Sequence, residues 1–119
     1  MANEFTDIEF SLKSGREIKI VSSEGVFLPN TTTELIINAV GKTISKPMKI
    51  LDLGCGTGVV GLCLWLDGLS TEPVFASDLT PQSTACSQEN FKRYGCKADV
   101  RCGPLFEPWS NEKFDVIVD

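Results

Sequence analysis

The sequence predicts an α/β protein built on a parallel sheet, with a β-hairpin and a helix ahead of it. Three observations carry this. Strand-like apolar runs at 48–53, 74–78, 97–102 and 114–118 alternate with helical segments or loops. A turn with glycines at alternate positions, Gly54-Cys55-Gly56-Thr57-Gly58, joins the first run to an apolar segment reaching Leu66. The 119 residues suffice for one domain and are too few for two.

In chain order, Ile8, Phe10 and Leu12 alternate with polar residues, as do Ile18 and Ile20. Lys13-Ser14-Gly15-Arg16 between them reads as the turn of a hairpin. Val26-Phe27-Leu28 reads as a short extended piece, stopped by Pro29. Thr31 and Glu34 fit a capping box, and Leu35, Ile36, Ala39, Val40 and Ile44 form a helical stripe over 32–45. Residues 48–53 are the first strand of the main sheet. The helix over 58–68 is apolar nearly all round, as a helix buried between the sheet and the N-terminal extension would be. Residues 74–78 are the second strand. Thr80 and Pro81 then open a helix to Tyr94, with Gly95 as its stop. Residues 97–102 form the third strand. A loop with Gly103, Pro104 and Pro108 leads to the fourth, Phe114–Val118.

These elements divide into an N-terminal hairpin and helix extension, 1–47, and a cofactor-binding half-domain, 48–119, read as parts of one structural domain. Open sheets of this kind run to about five to seven strands. The sequence therefore reads as truncated after its fourth strand, or as one half of a longer protein. The alternative is a small domain that completes its sheet with another chain. Either way the apolar fourth strand invites self-association through its open edge.

Hydrophobic residues make up 42% and charged residues 23%, values ordinary for a soluble globular protein. No apolar run approaches the ~20 residues of a membrane span, and no secretory signal is seen at the N-terminus. Five cysteines without CxxC spacing read as free thiols in a reducing, cytoplasmic setting. The sequence has no histidine, which removes Ser–His and Cys–His nucleophile pairs and the commonest metal ligand within these residues. No metal site is expected. The net charge is −5, and residues 51–119 hold ten acidic side chains against five basic ones. That balance argues against these residues alone gripping a phosphate backbone.

Strand, glycine loop and buried helix together read as a cofactor cradle. Glycine lets bare backbone approach a ligand, and the helix start directs unpaired N–H groups and its dipole at the loop. Gly56-Thr57-Gly58-Val59-Val60-Gly61 satisfies GxGxxG, which by itself allows a dinucleotide such as NAD. Asp52, two residues ahead of Gly54, argues against a pyrophosphate, because like charges in a partly dry site are costly. Asp-x-Gly-x-Gly-x-Gly instead suits S-adenosylmethionine, which carries an ammonium and a sulfonium and no phosphate.

Leu51-Asp52-Leu53-Gly54-Cys55-Gly56-Thr57-Gly58 resembles the first motif of class I S-adenosylmethionine-dependent methyltransferases, and Asp78 matches their second. Gly25–Pro29 followed by Thr31–Glu34 is similar to the segment ahead of the first motif in the HemK-like and ribosomal RNA small-domain types. The resemblance implies a Rossmann-like parallel sheet of methyltransferase type, present in part. It implies an enzyme acting on a nitrogen of protein or nucleic acid, with the substrate held by a portion beyond these residues. It assigns Asp52, Gly54, Gly56 and Gly58 to the cofactor loop, and Asp78 with neighbouring Leu79 to the ribose. Thr33 goes to the methionine end. Read from the residues alone, Thr33 is equally a first-turn helix residue and Asp78 a helix N-terminal acid.

Two departures qualify the match. Cys102-Gly103-Pro104-Leu105-Phe106 lacks the polar side chain that contacts adenine in the family, leaving Leu105 and backbone to hold the ring. The family's Asn-Pro-Pro-aromatic tetrapeptide would begin at or beyond Asp119, so no catalytic residue is assigned. Two other readings stay open: a cofactor-binding module without catalysis, and the NAD-binding half of an oxidoreductase.

Overall fold

The computed structural model describes residues 4–12 and 15–119. Its elements are β1 (Thr6–Ser11), β2 (Glu17–Ser22), α1 (Thr31–Thr43), β3 (Ile50–Leu53), α2 (Val59–Leu66), β4 (Val74–Asp78), α3 (Pro81–Arg93), β5 (Ala98–Cys102), a 3₁₀ turn (Glu107–Trp109) and β6 (Val116–Val118). β1 and β2 pair antiparallel as expected, Ile8 facing Ile20 and Phe10 facing Ile18. Lys13 and Ser14 of the expected turn lie outside the described residues.

The main sheet has the order β5-β4-β3-β6, and its pairs are all parallel. The chain steps from β3 through β4 to β5, then returns to the other side of β3 to form β6. The strand order therefore reverses at β3, and ligands of open parallel sheets bind at the carboxyl ends beside such a reversal.

Alternation along the strands separates two faces. Val74 and Ala76 pack with Val59, Leu62 and Cys63 of α2, Phe91 of α3 and Ile37 of α1. Phe10, Leu12, Ile18 and Ile20 of the hairpin join the same cluster, so the hairpin and the sheet share one core. The other face, Leu51, Leu53 and Phe75, is covered by Trp109 with Phe114 beside it. Phe75, Trp109 and Phe114 meet edge to face with centroids 5.3–5.7 Å apart. The stretch after β5, expected as plain loop, thus supplies the lid of that face. The Trp109 indole N–H donates to the Ser77 hydroxyl at 2.9 Å.

Three local expectations are corrected. Val26–Leu28 forms no strand, and Phe27 is 92% exposed. The cap of α1 is Asn30, not Thr31: Asn30 Oδ1 accepts from the Thr33 N–H and Thr33 Oγ1 accepts from the Asn30 N–H, both at 3.2 Å. Asparagine is as good a cap as threonine, and the choice moves the helix start by one residue. The buried stripe of α1 is Glu34, Ile37 and Val40, while Leu35 is exposed. The helix rotates because Ile37, not Leu35, meets the cluster under the hairpin.

β2 keeps no bare edge toward α3. Asn90 and Tyr94, one turn apart, act there as a substitute strand. The Val21 N–H donates to Asn90 Oδ1 at 2.7 Å, and Asn90 Nδ2 donates to the Val21 carbonyl at 2.9 Å. The Lys19 N–H donates to the Tyr94 hydroxyl at 3.1 Å, which in turn donates to the Lys19 carbonyl at 2.9 Å. Among the described residues, no helix is long and apolar enough to cross a membrane.

Candidate functional site

The glycine loop leaves β3 at the order reversal. Gly54, Gly56 and Gly58 have φ of +73°, +54° and +83°, values that residues with a Cβ adopt at a cost. The amides of Gly54, Cys55, Gly56 and Gly58 are already in use. The Gly54 and Cys55 N–H groups donate to the Ser77 carbonyl at 2.8 and 2.9 Å, and the Gly58 N–H donates to the Cys55 carbonyl at 2.7 Å. The Gly56 N–H donates to Asp78 Oδ2 at 2.9 Å.

Asp52 changes the expected role of the helix start. Its Oδ2 accepts from the Gly61 N–H at 3.0 Å, the third amide of α2. Gly58, at the N-cap position, has no side chain to do so. Asp52 thus caps α2 from the preceding strand, and the helix start directed at the loop is met by a carboxylate of the protein itself. Asp52 is 4% exposed. Burial pushes its carboxyl up to about 7; the nearby Asp78 and Asp119 carboxylates add to the rise, and the Gly61 hydrogen bond opposes it. Burial likewise pushes the Cys55 thiol up, so this loop cysteine stays protonated.

Two clefts open on the loop. The first, of about 330 Å³, runs from Asp52, Gly54 and Gly56 to the wall formed by Phe27–Asn30, with Thr33 beside it. The second, of about 230 Å³, lies over Ser77, Asp78 and Leu79, with Leu105 on its far lip. Gly54 and Asp119 line both. The ends of β3 and β6 therefore form the saddle between them. A Cβ on Gly54 would lie 3.5 Å from Asp119 Oδ1, inside that saddle.

Asp78 stands at the end of β4. Its Oδ1 accepts from the Leu79 N–H at 2.7 Å and its Oδ2 from Gly56. Oδ1 also accepts from the Thr80 N–H at 3.4 Å. A carboxylate offers about four lone-pair positions, so Oδ2 keeps room for another donor. Leu79 and Leu105 are 66% and 73% exposed and flank the second cleft. Leu105 holds φ +45°, a strained value for leucine that sets its side chain on the lip. Thr33 lines the first cleft while its hydroxyl serves the α1 cap.

The structure thus brings Asp52, Gly54, Gly56 and Thr33 to one cleft and Gly54, Asp78, Leu79 and Leu105 to the other. Gly58 lines neither: a Cβ there would meet Ser87 Cβ at 3.1 Å and Phe91 at 3.2 Å. Its backbone faces α3. Sequence reasoning missed the supports behind the loop. Ser87 Oγ donates to the Gly56 carbonyl at 2.8 Å, and Asn90 Nδ2 donates to the Thr57 carbonyl at 2.7 Å. One signal was available. The buried face of α3 is largely polar (Ser83, Thr84, Ser87, Asn90), and a helix with a polar buried face must be bonding backbone elsewhere.

Comparisons with known proteins bear on the family and the fold. The chain is 29% identical over 101 residues to the release factor glutamine methyltransferase of Geobacter sulfurreducens, covering 85% of the chain and 35% of that protein. It is 33% identical over 92 residues to ribosomal RNA small subunit methyltransferase C of Alcanivorax borkumensis, covering 74% of the chain and 27% of that protein. The chain spans about a third or less of the length of these relatives. In fold it is similar to a 16S rRNA N2 methyltransferase of T. thermophilus, solved with AdoMet and guanosine, at a TM-score of 0.81 and 21% identity over 95% of the chain and 32% of that structure. The sequence model of the methyltransferase small domain matches residues 17–119, and the chain belongs to that family.

Proposed function

We propose that the chain is the cofactor-binding portion of an S-adenosylmethionine-dependent methyltransferase that acts on a nitrogen of a protein or a nucleic acid. One observation carries the reading: two clefts share Gly54 and Asp119, one has a buried carboxylate and the other a carboxylate whose Oδ2 can take a further donor. Among the described residues, those lining them include Asp52, Asp78 and Asp119 and no lysine or arginine. The Gly54, Cys55, Gly56 and Gly58 amides are spent inside the protein. Such a site rejects a pyrophosphate and suits a cationic amino acid joined to a nucleoside. The NAD reading finds no support in it.

In this assignment Asp52 faces the ammonium, Thr33 borders the methionine end, and Gly54 and Gly56 admit the molecule against bare backbone. Asp78 accepts from the ribose hydroxyls, with Leu79 and Leu105 flanking the base. Gly58 supports the loop from behind. Bound S-adenosylmethionine would supply a methyl group already activated on sulfur, so the protein mainly has to orient and shield. The matched relatives are a release factor and a ribosomal RNA methyltransferase by name, which supports both acceptor classes.

Calorimetric titration tests the reading. S-adenosylmethionine and S-adenosylhomocysteine are expected to bind and NAD to give no heat; NAD binding alone would overturn the assignment. Asp78→Ala is expected to weaken S-adenosylhomocysteine binding by about 10-fold or more, since each charge-assisted hydrogen bond contributes roughly 1.5–3 kcal/mol. Affinity equal to wild type would remove Asp78 from the site.

A further inference from the structure

Asn90 is fully buried in α3 and lines neither cleft. Its side chain nevertheless joins two segments far apart in the chain. Nδ2 donates to the Thr57 carbonyl at 2.7 Å and to the Val21 carbonyl at 2.9 Å, while Oδ1 accepts from the Val21 N–H at 2.7 Å. These bonds use both amide hydrogens, with Cys86 Sγ as a further, longer acceptor of Nδ2 at 3.9 Å.

The two ends matter for different walls of the site. Thr57 lies between Gly56 and Gly58, whose left-handed φ values belong to the most permissive residue type, so the loop needs outside support to keep one shape. Val21 lies on β2, and the chain runs from there through Gly25 to Phe27–Asn30, which line the first cleft opposite the loop. One side chain therefore ties the cleft floor to the strand that leads into its facing wall.

The geometry points to Asn90 as a positioning residue that holds the glycine loop and the Phe27–Asn30 wall in the register that takes the cofactor. This rests on the cofactor reading above. Removing the amide leaves the Val21 N–H and the Thr57 carbonyl unpaired, while the Val21 carbonyl keeps the Cys86 thiol at 3.1 Å, and the loop is free to re-form elsewhere. A site held a fraction of an ångström too loosely loses affinity even when every contacting residue is present.

Tyr94 supplies the control. One turn further along α3 it clasps Lys19 of the same strand through the same kind of double bond, but none of its hydrogen bonds reaches the loop or the wall. The test compares Asn90→Ala, the near-isosteric Asn90→Asp and Tyr94→Phe in the full chain, by calorimetry with S-adenosylhomocysteine and by native-state hydrogen exchange without ligand. Both Asn90 variants are expected to bind about 10-fold more weakly or worse, and to exchange the Gly56 and Gly58 amides about 10-fold faster than wild type. Tyr94→Phe is expected to lower Tm yet bind within about 2-fold of wild type. Should Asn90→Ala fail to fold, Asn90→Asp keeps the volume and can donate at most one hydrogen. Wild-type loop exchange in Asn90→Asp, or equal affinity losses in the Asn90 and Tyr94 variants, would overturn the inference. If the wild-type protein binds no S-adenosylhomocysteine, the cofactor reading fails, while the exchange rates still decide whether Asn90 positions the loop.

Discussion

Asp52→Asn is expected to weaken S-adenosylmethionine binding by about 30-fold or more at pH 8 while making the ligand-free protein more stable at that pH. The two effects have one cause. The Asp52 carboxyl has an ordinary value of 3.8 and is pushed up to about 7 by burial in the fold. Folding thus favours its neutral form. The stability this group contributes is fully present below pH 3.8 and is lost as pH rises through 7. Above that, the ligand-free protein carries a buried carboxylate at a cost on the order of 2–4 kcal/mol. Asparagine can keep the hydrogen bond from the Gly61 N–H and never ionises, so the variant escapes that cost. It also loses the charge that the proposed site sets against the ammonium, and stripping one partner of a buried charge pair costs about 2–5 kcal/mol.

The same linkage sets the pH profile of binding. An ammonium beside Asp52 draws its carboxyl back down, so binding below pH 7 must release a proton. Wild-type affinity is expected to fall toward tenfold per pH unit below about 7 and to level off above it. The Asp52→Asn profile should be flat over the same range. Thermal unfolding from pH 5 to 9 with parallel calorimetric titrations checks all of this. A variant that is less stable at pH 8 and binds as tightly as wild type would reduce Asp52 to a helix cap.

Gly58→Ala is expected to destabilise the fold by about 2–5 kcal/mol, lowering Tm by roughly 10 °C or more. Two penalties combine. The residue holds φ +83°, and the added Cβ would sit 3.1 Å from Ser87 and 3.2 Å from Phe91. Gly68→Ala is the comparison, because Gly68 has φ +75° with nothing within 4 Å of the added carbon. It pays only the backbone cost of about 1–2 kcal/mol. The difference between the two variants in chemical denaturation measures how tightly α3 backs the loop. Equal losses would mean that α3 gives way to the added carbon.

Local patterns made most of the fold legible. The hairpin, three helices and four parallel strands follow from short-range rules of periodicity, capping and glycine or proline punctuation. The misses were also local. The cap of α1 went to Asn30 because several good caps stand in a row there, and nothing short-range chooses among them. Leu35 was placed inside on hydrophobicity, although the contact with the hairpin cluster, made by Ile37, sets the helix rotation.

By itself, the sequence determined that a glycine loop follows Asp52 and that Asp78 ends the next strand, which separates a cationic cofactor from a pyrophosphate. Those features lie within a few residues of one another or at the ends of adjacent strands. Tertiary structure alone decided what each does. It turned Asp52 into the cap of α2 as well as a buried acid, and turned Gly58 away from the clefts toward Ser87 and Phe91. It also placed Asn90 between Thr57 and Val21. Those roles depend on which backbone groups are left without a partner once strands from distant parts of the chain are packed, and an unpaired buried group exists only in the folded protein.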